Sequence, residues 1–257
     1  MELSDSKVEL ARRQNKVVYR DGARVVKVFN AAKPAGDVFN EALNIARIGE
    51  TGIRHPHVLE VSQVADGSWA LSTQYVEGRV LDEFFVESSG TPAFDGYLEQ
   101  FVDLQVAVQG TPAPTLLNAQ REKISHMIAV LEDLDPTIRY DLQMKADRMM
   151  PGRSVCHGDF NPTNVIVGAD GELYVCDWAH VTRGLPEADA AMTYILTADK
   201  SPQTAAAYLD LYAQKADVPK QKILYWVPVV AAAELSRGRK ENEETLRAWV
   251  NAANDYE

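Results

Sequence analysis

The sequence predicts an α+β fold in two lobes, a small β-rich N-terminal lobe over residues 1–76 and a larger α-helical C-terminal lobe over 77–257. Three observations carry this expectation. Asp21-Gly22 and Asp66-Gly67 each lie between β-branched runs, which marks tight hairpins because such a pair tolerates positive φ. One segment of helical apolar spacing separates those hairpins. Beyond Glu77-Gly78 the apolar spacing becomes mostly helical.

In order, "KVEL" at 7–10 reads as a first strand, and "KVVYRDGARVVKVF" as two more around Asp21-Gly22. From Asp37, the residues Val38, Phe39, Ala42, Leu43, Ile45 and Ala46 mark a helix that Gly49 and Gly52 close. "HVLEVSQVADGSWALSTQYV" then supplies two strands. After the proline-rich "TPAPT", Ile124, Met127, Ile128, Leu131 and Leu134 form the stripe of an amphipathic helix. "NVIV" and "ELYVCDW", joined by "GADG", read as a hairpin set into the helical lobe. "EADAAMTYILTA", "TAAAYLDLYAQKA" and "KILYWVPVVAAAELSRG" give further helices, with Pro219 and Pro228 as breaks or kinks. Trp226 and Trp249 are expected to pack on C-terminal helices.

Composition limits the function classes. With 26 Lys+Arg against 37 Asp+Glu the formal charge is −11, which argues against a nucleic-acid binder and leans toward a cationic ligand. The N-terminus "MELSDSKVELARRQ" has no signal-peptide core and no run approaches a membrane span, so the expectation is a cytoplasmic protein with no membrane partner. Cys156 and Cys176 are too few for a disulfide framework and are read as small residues on buried strands. His55-Pro56-His57 lacks supporting ligands at metal spacing and reads as a strand-entry turn. Nothing in the sequence chooses between a monomer and a homodimer.

The chemistry concentrates in "VCHGDFNPTNVIV". His157-x-Asp159-x-x-x-x-Asn164 has the spacing of a kinase catalytic loop, where an aspartate serves the attacking hydroxyl and an asparagine holds metal. Asp177 ends the following hairpin, which is expected to return its carboxylate to the same cleft as Asn164 and let the two share a divalent metal with phosphates. Far upstream, Lys27 lies in a strand with Val25 on the same face, and Glu41 on the next helix can pair with that lysine.

These residues, together with "VVKVF", "NEALNIARI", "QYVEG" and "GLPEADAAM", make most of the chain similar to the aminoglycoside phosphotransferase and choline kinase family, small-molecule kinases that share the protein-kinase fold. The resemblance implies an ATP-dependent phosphotransferase acting on a hydroxyl of a small molecule, with GTP as the other donor and Mg²⁺ as the metal. The acceptor is left among aminoglycosides, choline, amino alcohols and sugars. The resemblance also implies roles: Asp159 as catalytic base, Asn164 and Asp177 as metal ligands, and Lys27 on the α- and β-phosphates with Glu41 bracing it. Val25, Ile166 and the backbone of Gln74, Tyr75 and Val76 would meet the base. His157 and Asp189 would support the catalytic loop, and Asn161 would be a turn residue.

The first turn, "ARRQNK", departs from the family by having no glycine. That leaves weak nucleotide binding, another phosphate pose, or substitution by Arg12, Arg13 or Asn15. Gln109 stands where some relatives have a histidine, and His180 follows the metal aspartate as a solvated or hydrogen-bonded residue. Two alternatives remain beside the kinase reading. A protein kinase lacks room, since nine residues separate Asp177 from Glu187; a catalytically idle nucleotide-binding or scaffolding protein would explain the glycine-free turn.

Overall fold

The structure, a computed structural model, describes residues 1–238 and 240–252. These form two compact units: Met1–Glu83 with Thr163–His180, and Phe84–Pro162 with the described residues from Val181 onward. The expectation of one cut after Val76 is therefore modified. The hairpin read into the helical lobe belongs instead with the N-terminal residues.

In the first unit an antiparallel sheet is built from β1 (Val8–Arg12), β2 (Lys16–Asp21), β3 (Arg24–Phe29), β4 (Val58–Gln63) and β5 (Trp69–Gln74), in the order β1-β2-β3-β5-β4. Gly22 and Gly67 take φ of 62° and 83° at the two hairpins, as their Asp-Gly pairs require. Helix α1 (Ala35–Ile48) joins β3 to β4. Asp37 suits its N-terminal dipole and Arg47 its C-terminal one, and Val38, Glu41, Asn44, Ile45 and Ile48 form the buried stripe. A short strand β6 (Gly78–Val80) leads into α2 (Leu81–Ser88).

The second unit carries α3 (Ala93–Gly110), α4 (Gln120–Ala129), α5 (Pro136–Asp147) and the strand β7 (Ser154–Cys156). The stripe read through Leu134 outlasts its helix. Helix α4 stops at Ala129, and Leu131 and Leu134 are buried in the turn beyond it. The physical reason is Asp135-Pro136: the Asp135 carboxylate accepts from Thr137 N at 2.8 Å and Ile138 N at 3.3 Å, and Pro136 starts a new helix.

Returning to the first unit, β8 (Val165–Gly168) pairs with β6 on one side and β9 (Leu173–Val175) on the other. The turn Trp178–His180 follows and packs against α1, with Asn44 Nδ2 donating to Trp178 O at 3.4 Å. The chain then completes the second unit with β10 (Thr182–Gly184), which pairs with β7, and α6 (Pro186–Lys200), α7 (Pro202–Lys215), α8 (Lys220–Leu224), α9 (Val227–Leu235) and α10 (Glu243–Asn251). The break expected at Pro228 falls at Tyr225-Trp226, leaving the proline in the first turn of α9. Every residue of α9 is buried, and α4, α5, α6 and α10 pack around it. Trp226 stacks edge-on with Tyr225, and Trp249 with Tyr194. Among the described residues no helix is long and apolar enough to cross a membrane.

Gly152 is fixed by crowding. A Cβ there would lie 1.8 Å from Gly184 O, on the backbone of β10, which has no flexible end to give way. Gly152→Ala should lower stability by about 1–3 kcal/mol. Gly96→Ala, inside α3 with nothing near its Cβ, should hold or raise it by up to about 1 kcal/mol. Denaturant unfolding of both variants checks the contrast.

Candidate active site

In the first unit, four charged side chains converge. Lys27 Nζ, on β3, donates to Glu41 Oε1 at 2.6 Å and to Asp177 Oδ1 at 2.9 Å. Lys16 Nζ, at the start of β2, donates to Asp177 Oδ2 at 3.1 Å. Register explains the convergence: Val18 lies opposite Lys27, and Lys16 is two residues before Val18, so alternation puts both lysines on one face of the sheet. Val25 shares that face, two residues before Lys27.

Asp177 sits at φ 61°, in the left-handed region that aspartate tolerates better than most residues. The segment around it is pinned. Cys176 N donates to Asn164 O at 2.8 Å, Val175 N to Arg54 O at 2.9 Å, and Trp178 Nε1 to Val175 O at 2.9 Å. Asn164, at the end of the turn Pro162–Asn164, is thereby tied to the residue before Asp177.

Burial alone would push Lys27 down, but the carboxylates of Asp177 and Glu41 outweigh it and hold the ammonium above its ordinary range. Burial would likewise push Asp177 up. Lys27 and then Lys16 more than offset this, and the carboxyl stays well below the usual range. Burial pushes the Cys176 thiol up to about 12, so it stays protonated beside this cluster.

At the end of β5 the expectation of backbone contacts to a base narrows. Gln74 N donates to His57 O at 2.9 Å and Tyr75 N to Ala23 O at 3.0 Å, so these two N–H groups are already committed. Val76 follows the strand, and Ile166 lies on β8 opposite Val80 and Tyr174. His55, buried and pushed down by that burial, stacks edge-on with His57 at the entry to β4. Among the described residues no three His, Cys, Asp or Glu side chains gather where they could hold a metal ion.

The second unit holds the loop after β7. Gly158 takes φ 75°, which explains the glycine between His157 and Asp159. His157 is fully buried, and its Nδ1 accepts from Asp159 N at 3.2 Å. Asn161 does more than turn the chain: its Nδ2 donates to Asp159 O at 3.0 Å and to Asp159 Oδ1 at 3.2 Å. Asp189, buried at the start of α6, accepts from Gly158 N at 2.7 Å. Arg237 Nη2 donates to Gly158 O at 3.2 Å.

Two parallel relays support this loop, and the sequence reading missed both. Tyr212 Oη donates to Gln109 Oε1 at 2.5 Å, and Gln109 Nε2 donates to Asp189 Oδ2 at 2.8 Å. Tyr208 Oη donates to Gln105 Oε1 at 2.7 Å, Gln105 Nε2 to Thr193 Oγ1 at 2.9 Å, and Thr193 Oγ1 to Phe160 O at 3.0 Å. Burial pushes both phenols up, so they remain donors. The available signal was the spacing: Gln105 and Gln109 lie one turn apart on α3, and Tyr208 and Tyr212 one turn apart on α7.

The chain matches the family described as "Phosphotransferase enzyme family" over residues 10–222. It belongs to that family. Among solved structures it is similar to a thermostable mutant of aminoglycoside phosphotransferase APH(4)-Ia in ternary complex with AMP-PNP and hygromycin B, at 14% identity over 98% of this chain and 94% of that one, with a TM-score of 0.72. A choline/ethanolamine kinase family protein from Mesorhizobium loti is similar at 14% identity over 98% and 87%, with a TM-score of 0.63. A mutant of an aminoglycoside 2'-phosphotransferase-IIIa in complex with GDP is similar at 16% identity over 98% and 92%, with a TM-score of 0.59. At these identities the structures show the shared fold, the two-lobed protein-kinase-like α+β architecture. Among curated protein sequences none matches. Family membership makes this chain an enzyme of the small-molecule phosphotransferase kind.

Tyr212→Phe removes the donor to a buried Gln109 carbonyl. It should cost about 1–3 kcal/mol of stability, and thermal denaturation against wild type checks this.

Proposed function

We propose that the protein transfers the γ-phosphoryl group of ATP to a hydroxyl of a small molecule. The observation that carries this reading is Lys27 held between Glu41 and Asp177. A buried ion pair gains little net stability because desolvation offsets its attraction, so a cluster of charges in the first unit is better explained by an anionic ligand it is built to receive. In this reading Lys27 contacts the α- and β-phosphates and Glu41 fixes its ammonium. Val25, Ile166 and the backbone near Gln74, Tyr75 and Val76 cover the base.

The residues present fit Mg²⁺. Asn164 offers a neutral amide oxygen and Asp177 a carboxylate, both hard oxygen donors, and the bond from Cys176 N to Asn164 O ties their segments together. When bound, the ion supplies charge neutralisation for the transferring phosphoryl group. Asp159 orients the acceptor hydroxyl and takes its proton, Asn161 restrains that carboxylate, and His157 and Asp189 hold the loop that carries it.

The acceptor class is a small hydroxylated molecule bearing an amine. Support comes from the −11 charge of the chain, from the hygromycin B in the APH(4)-Ia complex, and from the similarity to a choline/ethanolamine kinase family protein. ATP is the donor we favour, with GTP as the second candidate because one similar structure holds GDP. An ATP-consuming reaction of this kind suits the cytoplasm, where the nucleotide is supplied.

Asp159→Asn should lower kcat roughly 100- to 10,000-fold while leaving the Kd for Mg-ADP within a factor of about 3 of wild type. Coupled ATP-turnover assays over aminoglycosides, choline, amino alcohols and sugars, with parallel calorimetry, measure both. Wild-type turnover in the variant would remove Asp159 from the reaction.

A further inference from the structure

We infer that Lys16 is a second phosphate-binding lysine, supplying with a side chain what the turn between β1 and β2 cannot supply with backbone amides. This rests on the phosphotransferase reading above and extends its nucleotide site to a residue the catalytic-loop, metal and strand-lysine motifs do not include.

The turn itself is unsuited to wrapping a phosphate. Its residues, Arg13 to Asn15, contain no glycine, and none of the positive-φ positions found among the described residues lies there. One of its amides is engaged, Arg13 N donating to Lys16 O at 2.8 Å, and two of its carbonyls are held by Asn30, Asn15 O accepting from Asn30 N at 3.0 Å and Gln14 O from Asn30 Nδ2 at 3.0 Å. Without a glycine or a residue at positive φ, and with its carbonyls fixed by Asn30, the turn lacks the backbone form in which successive amides close around an anion.

The side chains nearby differ sharply in where they go. Arg12 is committed to Glu9 at 2.6 Å, and its side chain is 64% exposed. Arg13 and Asn15 are exposed. Lys16 turns instead to the face that carries Lys27, its side chain is 17% exposed, and its ammonium takes the second oxygen of Asp177. Lys27 has Glu41 as well as Asp177, whereas among the described residues Lys16 has Asp177 as its one acidic partner. An ammonium so placed, with one shared counter-charge, is ready to exchange that partner for a phosphate oxygen. The competing interpretation is a latch, in which Lys16 only holds Asp177 until a nucleotide displaces it. The two differ in sign: losing a phosphate ligand weakens nucleotide binding, and losing a latch leaves it equal or tighter.

The test is isothermal titration of the full chain with ADP and with adenosine, with and without Mg²⁺, for wild type, Lys16→Met, Lys16→Gln and Lys16→Arg, each confirmed folded by its thermal transition. For Lys16→Met and Lys16→Gln we expect the Kd for ADP to rise roughly ten-fold or more. Adenosine should bind each variant as it binds wild type, and Lys16→Arg should recover most of the loss. The ADP-to-adenosine affinity ratio is read within each protein, so one variant that fails to fold leaves the other decisive. Wild type that binds ADP, with both neutral variants binding it equally or more tightly, overturns this inference and leaves the phosphotransferase reading intact. Wild type that binds no ADP overturns both.

Discussion

Asp177 is a single carboxylate with two lysines on it, and the first unit is arranged to keep it there. A charge in a half-buried position is tolerated only when its partners are fixed. The sheet register brings Lys16 and Lys27 to one face, and α1 brings Glu41 to Lys27. The β8–β9 hairpin delivers Asp177 in a left-handed backbone conformation that its pinned neighbours sustain. Trp178, almost completely buried, anchors the chain immediately after Asp177. The outcome is a pair of lysines on one face whose charge is balanced by the carboxylates of Glu41 and Asp177.

The second unit uses a different economy. Around the loop that carries Asp159, polar groups are drawn deep into the helical core and matched donor to acceptor. Gln105, Gln109, Thr193 and Asp189 are all at most 4% exposed, yet each has its partner along the relays from Tyr208 and Tyr212. Buried networks of this kind specify one geometry because any slip leaves an unsatisfied group in a low-dielectric interior. They fix Gly158 by its N–H and Phe160 by its carbonyl, on either side of Asp159.

The local signals in the sequence were strong where one residue type answers one physical need. Asp21-Gly22 and Asp66-Gly67 marked their hairpins, and the stripe from Val38 to Ile45 marked α1. The Lys27–Glu41 pair could be read because strand and helix periodicities each constrain which face a residue takes. Long-range pairing could not be read. Strands β6, β7 and β10 are three residues each, too short for a periodicity, and exist because a distant partner completes them. The hairpin at 165–175 joined the first unit for the same reason, since β6 is its partner. Lys16 is not singled out by the sequence because "ARRQNK" reads as one turn that runs through it; the tight Arg13–Lys16 closure makes it a strand residue. Gln109 and its tyrosine carried no motif, and only three-dimensional packing joins them to Asp189.

The most direct measurement is a crystal structure of the protein with Mg²⁺ and a non-hydrolysable ATP analogue, read at the two lysines. The account predicts that Lys16 Nζ and Lys27 Nζ both lie within about 3 Å of phosphate oxygens, with Lys16 released from Asp177. A bound nucleotide with Lys16 still paired to Asp177 and its phosphates held elsewhere would contradict it.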